Sequence, residues 1–233
     1  MKKIEDIAII VQARLSSKRI PNKMLKPFAG TTLIDICLEK IKNSEIIDDN
    51  NFYFSVFEDE LKDVGKQHNV NIWNRSKESA NSEGTPLTEL FDWWDQLKGY
   101  KYAIVISACC PMLNIDTIEK FIKAYTISNR DGMMSVLEKK NYFWDHESNL
   151  ITPWPEGLEI MNTKYVKPTY ETAQCLYAGR LDSIGEGIWM GRFDKKDQIG
   201  LFPISEKESF DIDYPDQFDL IESIYKKLIL DNE

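Results

Sequence analysis

Apolar positions fall in short blocks that switch between two spacings. Residues 7–11 (IAIIV) form a continuous, largely β-branched run bounded by polar residues, which predicts a strand buried on both faces. In 31–41 (TTLIDICLEKI) the apolar residues Leu33, Ile34, Cys37, Leu38 and Ile41 recur at helical spacing. Residues 51–57 (NFYFSVF) predict a second strand, and a helix opens in the acidic stretch 58–63 and ends near His68. A short third strand (70–73), a polar loop (74–86) and an amphipathic helix (87–97) follow. Residues 102–106 (YAIVI) read as a central strand that runs directly into the loop SACCPML, and 115–125 is again helical. Strand and helix thus alternate four times, which predicts an α/β, Rossmann-like, doubly wound and mostly parallel sheet.

The pattern changes after Asn129. Residues 132–136 read as a strand, but 141–168 keep no helical period and are aromatic, with Tyr142, Phe143, Trp144, Trp154 and Tyr165. Within 138–170 this is either a projecting arm whose aromatics suit a partner surface or a mixed subdomain packed on the core. Residues 200–205 and 210–213 (FDID) read as further strands, and 215–230 as a closing amphipathic helix. There is no internal repeat or linker, so 1–233 reads as one domain.

Charge sharpens this picture. The chain carries a formal charge of −9, which argues against a general nucleic-acid binder. Yet Arg14, Lys18, Arg19, Lys23 and Lys26 crowd into the loop after the first strand. Ligands of open α/β sheets bind outside the carboxyl ends of the strands, and five cations there suit a polyphosphate. Ser16 and Ser17 offer hydroxyl and N–H donors, Arg14 a planar fork, and Lys18 and Lys23 point charges. The other reading of this loop is a solvated basic turn. Cys37, Cys109, Cys110 and Cys175 lack metal-thiolate spacing and read as reduced thiols of a cytoplasmic protein. The N-terminal apolar run is too short for a secretory leader, and no run is long enough to span a bilayer, so no membrane partner is expected.

In a strand, Asp211 and Asp213 would share one face, with Phe210 and Ile212 on the other. Two adjacent carboxylates repel unless a cation sits between them, and magnesium carrying a substrate phosphate answers that need. Acidic decoration ahead of a helix cap is the alternative.

Residues 12–23 (QARLSSKRIPNK) resemble the nucleotide-binding signature of the cytidylyltransferases that activate 2-keto-3-deoxy sugar acids. These include CMP-sialic acid synthetases, legionaminate and pseudaminate enzymes, and CMP-3-deoxy-manno-octulosonate synthetase. Residues 210–222 (FDIDYPDQFDLIE) resemble that family's closing DID-tP-eDf-l-E segment, and 170–180 (YETAQCLYAGR) its E-tGaiYa segment. Arg75 sits where the family places an arginine after the third strand. The resemblance spans nearly the whole chain. It implies a homodimer built through a mid-chain arm, and transfer of CMP from CTP to a sugar acid with release of pyrophosphate. Arg14, Lys18 and Lys23 match triphosphate-binding positions, with Ala13, Ser16, Ser17 and Arg75 completing the nucleotide site. Asp211 and Asp213 match carboxylates that hold Mg2+, and Arg14, Lys23, Asp211 and Asp213 are the catalytic set. Ser107, Cys109, Cys110 and Tyr177 fall on the acceptor side.

The chain departs from the family in four places. Met24 stands where sialate-type members have asparagine, and SACCP replaces their QPTSP or the octulosonate enzymes' QGDEP. Asn81 or Ser82 takes the place of an acidic residue, and the opening QAR is similar to the spore-coat polysaccharide branch of the superfamily. Three alternatives stay open at this point: another nucleotide, another acceptor such as a phosphonate, or a catalytically silent nucleotide-binding or assembly protein.

Overall fold

A computed structural model describes residues 1–81 and 84–230. Its core is one seven-stranded sheet in the order β5-β4-β1-β6-β8-β7-β9. β1 (Ile7–Gln12) pairs in parallel with β4 (Phe52–Val56) and β6 (Tyr102–Ile106), and β4 pairs in parallel with β5 (Asn71–Asn74). Residues 7–11 are at most 2% exposed, so the apolar run that predicts a doubly covered strand is covered on both faces. Full burial of each isoleucine or valine side chain among them contributes about 1.5–3 kcal/mol, which anchors β1 at the sheet's centre.

Alternate side chains of β1 serve two cores. Ile7, Ile9 and Val11 pack under α1 (Leu33–Lys42), α2 (Asp59–Gln67) and α4 (Ile115–Ile127). Ala8 and Ile10 meet Phe91, Trp93 and Leu97, which follow α3 (Leu87–Leu90), and α5 (Leu181–Ile184). α1 begins where Thr32 accepts a hydrogen bond from the Asp35 N–H at 3.2 Å, an N-cap that satisfies a free helix donor. A small hairpin, β2 (Pro27–Phe28) with β3 (Thr31–Thr32), leads into it. α6 (Pro215–Leu228) closes the chain, packing Phe218 and Ile221 against Phe28, Leu33 and Ile36.

The structure differs from the sequence reading at three points. First, residues 169–180 form a twelve-residue strand, β8 (Thr169–Arg180), that runs antiparallel between β6 and β7 (Gly132–Lys139). β9 (Ile199–Pro203) then adds in parallel to β7. A bulge breaks the alternation of β8, which hides it from a period-two reading. Second, the helix expected over 87–97 ends at Leu90, because Phe91 leaves helical geometry (φ −111°, ψ 56°). The following aromatics then turn inward, and Trp93 is fully buried. Third, 210–213 is not a strand. It has no partner strand; the Ile212 N–H donates to Cys109 O at 3.0 Å, and the Ile212 side chain is buried in the core beside α6.

Residues 141–168 are irregular as expected, with an isolated bridge between Trp144 and Leu150 and a 3₁₀ turn at Thr163–Tyr165. Trp144, Ile151, Trp154, Ile160, Met161 and Tyr165 are exposed there. Among the described residues, no helix is long and apolar enough to cross a membrane.

Candidate active site

From β1 the chain moves outward to β4 and β5, then returns to β6 on the other side of β1. The loops after β1 and β6 therefore splay apart at their carboxyl ends, the place where open α/β sheets bind ligands. A cleft of about 700 Å3 lies there.

The β1 loop is fixed by its own hydrogen bonds. Gln12 donates to Leu90 O (3.2 Å) and accepts from Trp93 Nε1 (3.1 Å), while the Leu15 N–H donates to Glu58 Oε1 (2.8 Å). Ile20, Lys23 and Met24 are buried, so the loop's second half is clamped to the body. Ala13, Arg14, Ser16, Ser17, Lys18, Arg19, Lys23 and Met24 all line the cleft. Arg14 donates to Ala80 O at 3.1 Å.

Arg75 is 5% exposed and holds the cleft's floor. Its guanidinium donates to Ser79 Oγ (3.0 Å), to Ser79 O and to Ala13 O (3.4 Å). Burial pushes it down to about 10, still charged at neutral pH. Beside it Asn81 lines the cleft, whereas Ser82 lies outside the described residues.

Of the C-terminal carboxylates, Asp213 lines the same cleft, whereas Asp211, two residues before it, is more buried and is not part of the cleft lining. Lys23 Nζ donates to Ile212 O (2.5 Å) and lies 3.5 Å from Asp213 Oδ1, which also receives Arg19 Nη2 at 2.7 Å. α6 aims Asp213: Gln217 Oε1 accepts from the N–H groups of Asp213 (2.8 Å) and Tyr214 (2.9 Å). Burial works against the Lys23 ammonium, but Cys109, Asp211 and Asp213 more than offset it, and its pKa rises. Asp211 is pushed up, first by burial and then by the Asp213 charge. Its Oδ1 is buried and has no hydrogen-bond partner among the described residues.

An uncompensated buried carboxylate oxygen beside a second carboxylate fits a hard divalent cation that brings further oxygen ligands with it. No group of three or more acidic, histidine or cysteine side chains among the described residues makes a self-sufficient metal cage. The pair therefore suits Mg2+ that arrives carrying phosphates.

On the far wall, Ser107, Cys109 and Tyr177 line the cleft. Burial raises the Cys109 thiol, with Lys23 pulling the other way. Cys110 does not join them. It is 3% exposed, with its sulfur 3.4 Å from Cys175 Sγ, and faces the core rather than the cleft. Leu90, Phe91, Val105 and Gln174 also line the cleft and went unread in the sequence. For Gln174 a signal exists: with Tyr177 aligned to the tyrosine of E-tGaiYa, Gln174 occupies the motif's glycine position. Phe91, Val105 and Tyr177 are shared with an adjoining hollow of about 850 Å3, which Ile188, Trp189 and Met190 wall with apolar surface.

Three comparisons bear on these residues. A family model described as cytidylyltransferase matches residues 8–233. Pseudaminic acid cytidylyltransferase from Campylobacter jejuni is 24% identical, with 93% of this chain and 95% of that protein covered. N-acylneuraminate cytidylyltransferase A from Danio rerio is also 24% identical, over 61% of this chain but only a third of its own length (33%). Among solved structures, a CMP:2-keto-3-deoxy-manno-octonic acid synthetase complexed with CTP superposes with a TM-score of 0.67. It is 12% identical, with 95% of this chain and 98% of that one covered, a likeness of fold.

Proposed function

The chain belongs to the cytidylyltransferase family, and on that premise we propose that it transfers CMP from CTP to a 2-keto-3-deoxy sugar acid, releasing pyrophosphate. The observation that carries the proposal is the pairing of Lys23 and Arg19 with Asp213 at the cleft after β1, with Asp211 near enough to feel all three charges. A positive turn and a carboxylate pair on one cleft suit a metal-bound triphosphate and suit few other ligands.

Arg14, Ser16, Ser17, Lys18 and Lys23 hold the triphosphate, with Ala13 and Arg75 shaping the loop beneath it. Asp211 and Asp213 would hold Mg2+. Bound there, the metal would polarise the α-phosphate and make the attacking hydroxyl more acidic. The sugar's anomeric hydroxyl attacks the α-phosphorus in line and gives up its proton to solvent, the bond to the bridging oxygen breaks, and pyrophosphate leaves. Arg14, Lys18 and Lys23 stabilise the negative charge that gathers on the leaving group. Lys23 is already fixed by Ile212 O before nucleotide arrives, so little reorganisation is needed at the transition state.

Ser107, Cys109 and Tyr177 face the acceptor. The apolar hollow beyond Tyr177 supports an acceptor that carries non-polar substituents. The exposed apolar side chains of 141–168 support a homodimer formed through that segment. The nucleotide substrate and the free cysteines support a cytoplasmic location.

The test is pyrophosphate release from CTP and Mg2+ across sialic, legionaminic, pseudaminic and 3-deoxy-manno-octulosonic acids. Release with at least one acid is expected. Nucleotide-induced stabilisation with no release on any acid would favour the silent binding protein instead.

A further inference from the structure

β8 crosses the mouth of the cleft, and its bulge lies there. Met134 pairs with Tyr177 and Val136 with Thr172, so Ser135 alone faces residues 173–176. The bulge is tied down on both sides. The Leu176 N–H donates to Ser135 Oγ (3.0 Å), and the Ser107 N–H donates to Cys175 O (2.9 Å). Ala173 and Cys175 are buried, whereas Gln174 between them is exposed and lines the cleft with Ser107, Cys109 and Tyr177.

Gln174 also carries a backbone cost. Its φ is +53°, the left-handed region that glycine enters freely and a side-chain-bearing residue does not. Glycine is what E-tGaiYa has at this position. Among the described residues, the Gln174 amide makes no hydrogen bond that would repay the strain. A strained, unpartnered polar side chain in a ligand cleft points to a ligand contact. The side chains that the β6 loop SACCP brings to this wall are the Ser107 hydroxyl and the Cys109 thiol, so no side-chain amide comes from there. An amide offers two donors and an acceptor, which suits the carboxylate and hydroxyl oxygens of a sugar acid.

Resting on the function proposed above, we infer that Gln174 is a specificity-determining residue: its amide, presented by the β8 bulge, hydrogen-bonds the acceptor. A β-bulge re-aims one side chain without moving its neighbours, which is what the buried residues on either side require.

The test compares wild type with Gln174→Gly and Gln174→Asn in steady-state pyrophosphate release, using whichever of the four acids the wild type accepts. The expected result for Gln174→Gly is an acceptor KM raised at least tenfold, an unchanged KM for CTP, and a higher thermal midpoint as the strain is relieved. Gln174→Asn, which tolerates the left-handed region and keeps a shorter amide, should lie between the two. An active wild type with an unmoved acceptor KM in Gln174→Gly overturns the inference and leaves the transferase reading intact. A lowered midpoint with both KM values raised marks a structural role and also overturns it. A wild type silent on all four acids overturns the transferase reading itself, and the inference with it.

Discussion

Lys23 Nζ lies 3.5 Å from Asp213 Oδ1, although 190 positions separate the two residues. The contact joins the loop after β1 to the segment before α6, so the two ends of the fold close on one cleft. A buried lysine bonded to a main-chain carbonyl and facing carboxylates is held charged, and a charged lysine there is useful to a triphosphate.

Replacing that charge should weaken nucleotide binding. Lys23→Met keeps the buried stem and removes the ammonium, and Arg14→Ala removes the fork. A charge-assisted hydrogen bond contributes about 1.5–3 kcal/mol, so CTP affinity should fall roughly ten- to a hundredfold in each. Calorimetric titration with CTP checks this, and wild-type affinity in both variants would make the loop mere decoration.

Asp211→Asn should separate stability from activity. Asp211 is pushed above the ordinary 3.8 by burial and by Asp213, so folding favours its protonated form. Its stabilising contribution is full below that value and is lost as pH rises through the higher folded-state value. Without metal, Asp211→Asn should therefore melt at or above the wild-type temperature at pH 7, and the advantage should vanish on acidification. Turnover should fall by two orders of magnitude or more. Thermal melts from pH 3 to 8 in chelator, beside pyrophosphate assays, check both halves.

Arg75→Ala should act chiefly on the fold. Its guanidinium satisfies Ser79 and the Ala13 carbonyl in a buried setting, and leaving such acceptors unpaired costs about 1–3 kcal/mol. Urea denaturation should show a stability loss of that order. An unchanged midpoint would mean that Arg75 serves the ligand alone.

Cysteine labelling offers an independent view of the cleft. Cys37, Cys110 and Cys175 are buried, whereas Cys109 is partly buried on the cleft wall. Burial raises its thiol above the ordinary 9.0, so alkylation should be slow at pH 7.5 and quicken as pH rises past 9. Mass spectrometry should find Cys109 labelled first, and saturating CTP should protect it. Labelling that CTP leaves unchanged would separate Cys109 from the nucleotide cleft.

The sequence made legible what depends on local period and on charge. Residues 7–11 and 102–106 are uninterrupted apolar runs, and they are the central parallel strands. The cations of the β1 loop stand out because the rest of the chain is acidic. What it hid depends on contacts between distant residues. Antiparallel β8 is masked by its bulge, and the helix expected over 87–97 yields to the packing of Phe91 and Trp93. Asp213 is brought to the cleft by the Ile212–Cys109 main-chain bond and the α6 cap rather than by a strand, and Asp211 sits beside it outside the cleft lining. Cys110 and Cys109 are adjacent in sequence, and only tertiary structure separates the core-facing thiol from the cleft-facing one.

The most direct test is anomalous scattering from crystals grown with CTP and Mn2+ in place of Mg2+. The expected map has one anomalous peak bridging the CTP phosphates to Asp211 and Asp213, with Arg14 and Lys23 on the same triphosphate. A nucleotide bound away from those two carboxylates, or a metal ion elsewhere on the molecule, would contradict a single magnesium–nucleotide site.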